Sequence, residues 1–121
     1  MINTNYTKEG LGRLLYEQRK RIGRNQGDIA KVLGYVNVNF ISMIESGKSK
    51  IPINRIADLV DAYSMNPEFI LVILHIEYPD YLETISQLAR RIPKIFKSVT
   101  EEPEKEIRNI YQYHQQLIEK S

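Results

Sequence analysis

The sequence predicts an all-α fold, with five helices packed as one unit and a helical C-terminal extension. Three observations point there. Apolar residues recur at three- and four-residue spacing along almost the whole chain. Gly23, Gly34 and Gly47 each fall just past one of these periodic segments, where a helix commonly ends. With 42% hydrophobic and 26% charged residues, the 121-residue chain has enough apolar material for a core and does not read as disordered.

The first helix is expected at about 8–22, with Leu11, Leu14, Leu15, Gln18 and Ile22 at helical spacing. Thr7 with Gly10 three residues on supplies half of a capping box. A second helix runs from Gln26 to Leu33 and turns Ile29, Ala30 and Leu33 inward. Tyr35-Val36 then leads to Asn37, a residue suited to cap a helix start. The third helix covers about 38–46, with Ile41 and Ile44 inward. After the basic loop Lys48-Ser49-Lys50, Pro52 or Asn54 opens a fourth helix carrying Ile56, Leu59, Val60 and Tyr63.

Asn66-Pro67-Glu68 marks a fifth start at about 67 by a cap, an early proline and an acid at the positive helix end. The run from Phe69 to Leu74 is apolar on every side, so it needs cover on more than one side, and a second subunit is the expected source. Tyr78-Pro79 breaks the chain. A sixth helix at about 80–92 places Leu82, Ile85, Leu88 and Ile92 in phase, and Pro93 interrupts it. Ser98 and Glu101 fit a capping box for a last helix at about 102–119, with Pro103 at an early position. Its stripe of Ile107, Ile110, Tyr111, His114, Leu117 and Ile118 serves either as an internal packing face or as a dimer seam. On this reading the chain divides into residues 1–78 and an extension, 79–121.

Charge is unevenly placed. Residues 1–55 hold ten Lys/Arg against four Asp/Glu, and residues 56–121 hold seven against eleven. A basic front half suits a polyanion, which the acidic back half should avoid. Without cysteine, disulfides and thiolate metal sites are excluded. His75 and His114 have no ligand-like spacing, so no metal or cofactor is expected. The acidic run Glu101, Glu102, Glu104 and Glu106 is more simply the first turn of a helix. No nucleophile elbow or phosphate-cradling glycine loop supports an enzyme. The longest apolar run, Phe69–Leu74, cannot span a bilayer, and no secretory leader pattern opens the chain, so a cytoplasmic location with no membrane partner is expected.

The stretch from Gln26 to Glu45 carries the functional signal. Ala30 permits two short helices to approach closely, and Gly34 can turn with positive φ. The third helix then presents Asn37, Asn39, Phe40, Ser42 and Met43 outward. Amide side chains can satisfy the donor–acceptor pair of adenine in the major groove, and apolar groups can meet a thymine methyl. Arg24, Asn25, Gln26, Lys48 and Lys50 flank this face and are the candidate phosphate contacts.

Arg19, Gln26, Ile29-Ala30, Leu33-Gly34, Ile41 and Ile44-Glu45-Ser46-Gly47 together resemble the Cro/phage-repressor (XRE) helix-turn-helix family over about residues 8–75. The resemblance implies a five-helix phage-repressor-like DNA-binding domain that binds double-stranded DNA as a dimer, with helix 3 in the major groove. It also implies a phosphate contact by Gln26 and a structural ion pair between Arg19 and Glu45. One residue more than the commonest family spacing separates Gly34 from Ile41. Two reading registers follow: Asn37, Asn39 and Ser42, or Val38, Asn39 and Met43, with Asn39 common to both.

The implied role is a transcriptional regulator, expected to be a dimeric repressor on a palindromic operator. The candidate dimer residues are Phe69, Ile70, Ile73, Ile107, Ile110, Tyr111, His114 and Leu117. The alternative is an antitoxin or anti-repressor module whose C-terminal segment binds a protein partner. DNA from the protein's own promoter separates the two in a gel shift.

Overall fold

The computed structural model describes residues 7–91 and 103–120. Among these residues the regular structure is entirely helical: α1 Lys8–Arg21, α2 Gln26–Leu33, α3 Asn39–Glu45, a 3-10 turn Ile53–Arg55, α4 Ile56–Ala62, α5 Phe69–Glu77, α6 Pro79–Arg91 and α7 Pro103–Glu119. Ile92, Pro93 and the Ser98–Glu101 capping box lie outside the described residues.

Local chemistry sets the first boundaries. The Thr7 hydroxyl accepts from the Gly10 N–H at 3.0 Å and starts α1. Asn25 and Asp28 form a reciprocal capping box on α2: the Asn25 side chain accepts the Asp28 N–H at 2.8 Å, and Asp28 accepts the Asn25 N–H at 2.9 Å. Gly34 ends α2 with φ 78°, a conformation costly for residues with a Cβ. Helix α3 starts at Asn39, one residue later than expected. The Asn37 side chain does accept a backbone proton, but from Asn39 at 3.0 Å across Val38, so it closes a turn ahead of the helix. The extra residue is taken up in this exposed turn, and the buried anchors Ile41 and Ile44 keep their places.

Helix α5 begins two residues after the expected start. Asn66, Pro67 and Glu68 instead form a tight turn, their carbonyls accepting from Phe69, Ile70 and Leu71. Its cover also differs from expectation. Helices α1, α4, α6 and α7 of the same chain all pack against it, so its all-round apolar surface needs no second subunit. Leu82, Ile107 and Tyr111 join the same buried cluster as the residues of α1–α5, and the extension thus shares one core with the front of the chain. Burying Ile107 wholly contributes about 1.5–3 kcal/mol to docking α7.

The candidate dimer residues therefore need correction. Phe69, Ile73, Ile107, Tyr111 and His114 are buried within one chain and have no surface left for a partner. Ile70, Ile110 and Leu117 are half-buried. In α6 the expected phase is also partly wrong: Leu82 and Ser86 face the core, whereas Leu88 is 51% exposed.

Candidate nucleic-acid interface

Helix α3 is held from behind by a buried polar network. The Arg19 guanidinium grips the Glu45 carboxylate with two parallel bonds, Nε to Oε2 at 2.8 Å and Nη2 to Oε1 at 2.9 Å. This geometry fixes direction as well as distance. The Tyr63 hydroxyl donates to Glu45 Oε2 at 2.6 Å, and Gln26 Nε2 donates to Oε1 at 3.2 Å. One carboxylate thus joins α1, α2, α3 and the end of α4. Burial, then the bond to Glu45, pushes the Tyr63 phenol far above its ordinary pKa, so it stays a donor. The bond to Glu45 raises the Arg19 pKa further, so the pair stays charged.

Two side chains cap the C-terminal end of α4. Gln18 Nε2 donates to the Tyr63 carbonyl at 2.9 Å, and Arg24 Nη1 donates to the Ala62 carbonyl at 2.7 Å. Gly12 permits the close crossing of α1 over α3: a Cβ there would sit 2.4 Å from the Glu45 carbonyl oxygen.

With its back fixed, α3 turns Asn39, Ser42 and Met43 to solvent. The Asn39 amide side chain is bonded to nothing among the described residues and stands in the first turn of the helix. Asn37 and Val38 are exposed just before it. Phe40 stands apart from this group. It is half-buried and its ring meets Tyr35 at 5.0 Å between centroids, a packing contact that takes it off the outward face.

The candidate phosphate contacts divide in the same way. Lys48 is exposed beyond the end of α3. Asn25 spends its side-chain oxygen on the α2 cap. Gln26 is half-buried on Glu45, and Arg24 is turned inward onto α4, which removes its bonded amino group from the surface. Lys50 is exposed, with its ammonium 4.5 Å from the Tyr78 ring centre. The loop carrying both lysines is clamped at Ile51: the Glu77 carboxylate accepts the Ile51 N–H at 2.7 Å, and the Tyr78 hydroxyl donates to the Ile51 carbonyl at 2.6 Å.

Sequence reasoning missed Gly12, the clamp of Glu77 and Tyr78, and the polar role of Tyr63. Gln18 offered a usable signal, since a polar residue in phase with Leu11, Leu14 and Leu15 must find a buried partner.

Among the described residues no group of His, Asp and Glu could hold a metal ion, and no helix is long and apolar enough to cross a membrane. No curated protein and no solved structure matches the chain. The family model for the helix-turn-helix matches residues 15–70, which span α2 and α3 and the whole Glu45 network. Residues 15–70 thus form a helix-turn-helix domain, and this match supports a DNA-binding transcriptional regulator of the Cro/phage-repressor (XRE) type.

Proposed function

We propose that this regulator is a dimeric repressor that binds a palindromic operator, inserting α3 into the major groove. The observation that carries the reading is the contrast on α3: a back face locked through Glu45 and a front face of unbonded Asn39 with Ser42 and Met43. A rigid helix with free polar side chains suits base readout. Asn39 is the main base reader, as its amide can bond both polar groups of adenine. Ser42 and Met43 assist it, while Asn37 and Val38 meet the groove edge. Lys48 and Lys50 hold phosphates, together with the backbone N–H of Gln26 at the start of α2. Two copies meet half-sites about 34 Å apart. Repression asks only for stable occupancy of the operator, which this arrangement supports.

Titration of operator DNA across salt concentrations tests the reading. Asn39→Ala should relax specificity at one base position, at about 1–3 kcal/mol. Lys48→Ala should weaken binding to all sequences and flatten the salt slope by about one unit. If neither variant changes binding, α3 is not the reading helix. A reporter gene behind the operator should be silenced by the wild-type protein; activation instead would overturn repression while leaving DNA binding intact.

A further inference from the structure

We infer that the exposed face of α6 is a self-complementary seam that docks antiparallel on α6 of a second copy of this chain. The inference rests on the dimeric reading above and assigns it a surface outside the family match.

Asp80, Thr84, Leu88 and Arg91 follow one another at spacings of four, four and three residues, so they share one helix face, with Tyr81 beside them. All five are exposed, Tyr81 at 53% and Leu88 at 51%. They stand opposite Leu82 and Ser86, which face the core. A shallow depression lies at each end of this face. Pro79, Asp80, Tyr81 and Thr84 line one, and Thr84, Gln87, Leu88 and Arg91 line the other, so Thr84 borders both.

The charges single out a second copy as the occupant. The face carries Asp80 at its start, Thr84, Gln87 and Leu88 at its centre, and Arg91 at its end. Asp80 and Arg91 form no ion pair among the described residues. A two-fold axis near the middle of α6 sets Asp80 opposite Arg91 of the partner subunit. It also seats the partner's Leu88 between Tyr81 and Thr84. The same contacts then repeat on the other side of the axis, as an isologous interface requires. A parallel pairing would set like charges together at both ends. Lys50 lines the same depression as Tyr81 and Thr84, so the seam runs beside the basic loop that follows α3. Dimerisation there couples the positions of two DNA-binding loops.

A 13-residue helix is about 20 Å long, which places the seam at the small end of specific interfaces. Dissociation in the micromolar range is therefore expected, with two half-sites reinforcing the pair. Sedimentation of the full chain without DNA measures this directly. Leu88→Glu should raise the dissociation constant at least about tenfold. Asp80→Arg and Arg91→Asp alone should each raise it about fivefold, by setting like charges together. The double variant should return to within about threefold of wild type, because the pair is restored with its signs exchanged. Circular dichroism checks that each variant keeps its helix content.

A wild-type chain that stays monomeric at about 100 µM overturns the seam and leaves the face to a different protein. A dimer indifferent to Leu88→Glu, or a double variant no better than the singles, overturns it too. Binding of Leu88→Glu to a single half-site keeps the outcomes distinct: unchanged affinity there preserves the DNA reading whatever the sizing shows.

Discussion

Behind α3 the apolar packing of Ile41 and Ile44 is joined by directional hydrogen bonds on buried Glu45, whereas in α7 Ile107 and the His114 ring are buried by apolar contact. Arg19, Tyr63 and Gln26 all converge on Glu45 with donors in fixed directions. In α7, Ile107, Tyr111 and His114 are equally buried, yet neither nitrogen of His114 has a hydrogen-bond partner among the described residues, and the ring lies edge-on to Phe69 at 5.1 Å. Apolar contact holds a helix to a surface but only loosely fixes its rotation; a bidentate ion pair fixes both. The difference fits the function proposed for α3. A helix that reads bases must keep its angle, since a small rotation moves Asn39 away from the base it would meet. A helix that covers α5 need only exclude water.

The largest expected effect comes from breaking the polar side of this contrast. Glu45→Ala leaves the Arg19 charge buried without a counter-ion and removes the acceptor of Tyr63. It should cost about 3–5 kcal/mol in urea unfolding. DNA affinity should fall as well in whatever fraction remains folded, because α3 loses its anchor. A loss below about 1 kcal/mol would mean that packing by Ile41 and Ile44 alone orients the helix.

The same contrast explains what could be read from residue order. The bounds of α1 and α2 were legible because Thr7, Asn25 and Gly34 act on their immediate neighbours. The start of α3 was displaced by one residue because Asn37 can close a turn or cap a helix with the same side-chain oxygen. The all-round apolar character of α5 showed that several covers were needed but not whose chain supplies them. Leu88 kept the helical period yet faces outward, since the period does not say where a buried stripe ends. Gly12 was silent, because a close crossing between α1 and α3 leaves no mark other than the missing side chain. Arg24 and Phe40 lie close in sequence to the exposed face of α3, but tertiary contacts to Ala62 and Tyr35 turn them from it.

The next effect tests the apolar side. Burial, with the Arg21 charge adding to it and Glu68 opposing, lowers the His114 pKa from 6.5 to about 4. The folded protein therefore holds this imidazole neutral while the unfolded chain takes up a proton below pH 6.5. The stability from burying neutral His114 is complete above that pH and is lost as pH falls towards 4. The loss is on the order of 3 kcal/mol. His114→Leu should remove this pH dependence from the unfolding curve between pH 7 and 4. If the curves of wild type and variant run parallel, the imidazole has water access and α7 is looser than its packing indicates.

The smallest expected effect concerns Glu77, where a polar contact passes between the two regions. It lies in α5, under the apolar cover, yet it accepts the Ile51 N–H of the lysine loop. Burial raises its pKa, and the Ile51 bond with the charges of Lys8 and Lys50 opposes that rise. A raised pKa means that the folded protein binds this proton more tightly than the unfolded chain. Ionised Glu77 therefore costs stability near neutral pH, and the cost is relieved as pH falls through its folded pKa towards the ordinary carboxylate range, opposite to His114. Glu77→Gln removes the charge and still offers an oxygen to Ile51, so stability should change by less than about 1 kcal/mol. Glu77→Ala leaves a core N–H without an acceptor and should cost about 1–3 kcal/mol. Only the alanine variant should also weaken DNA binding, since Ile51 anchors the loop that carries Lys48 and Lys50. Equal losses in the two variants would show that the charge, rather than the hydrogen bond, ties the reading unit to the helices that cover it.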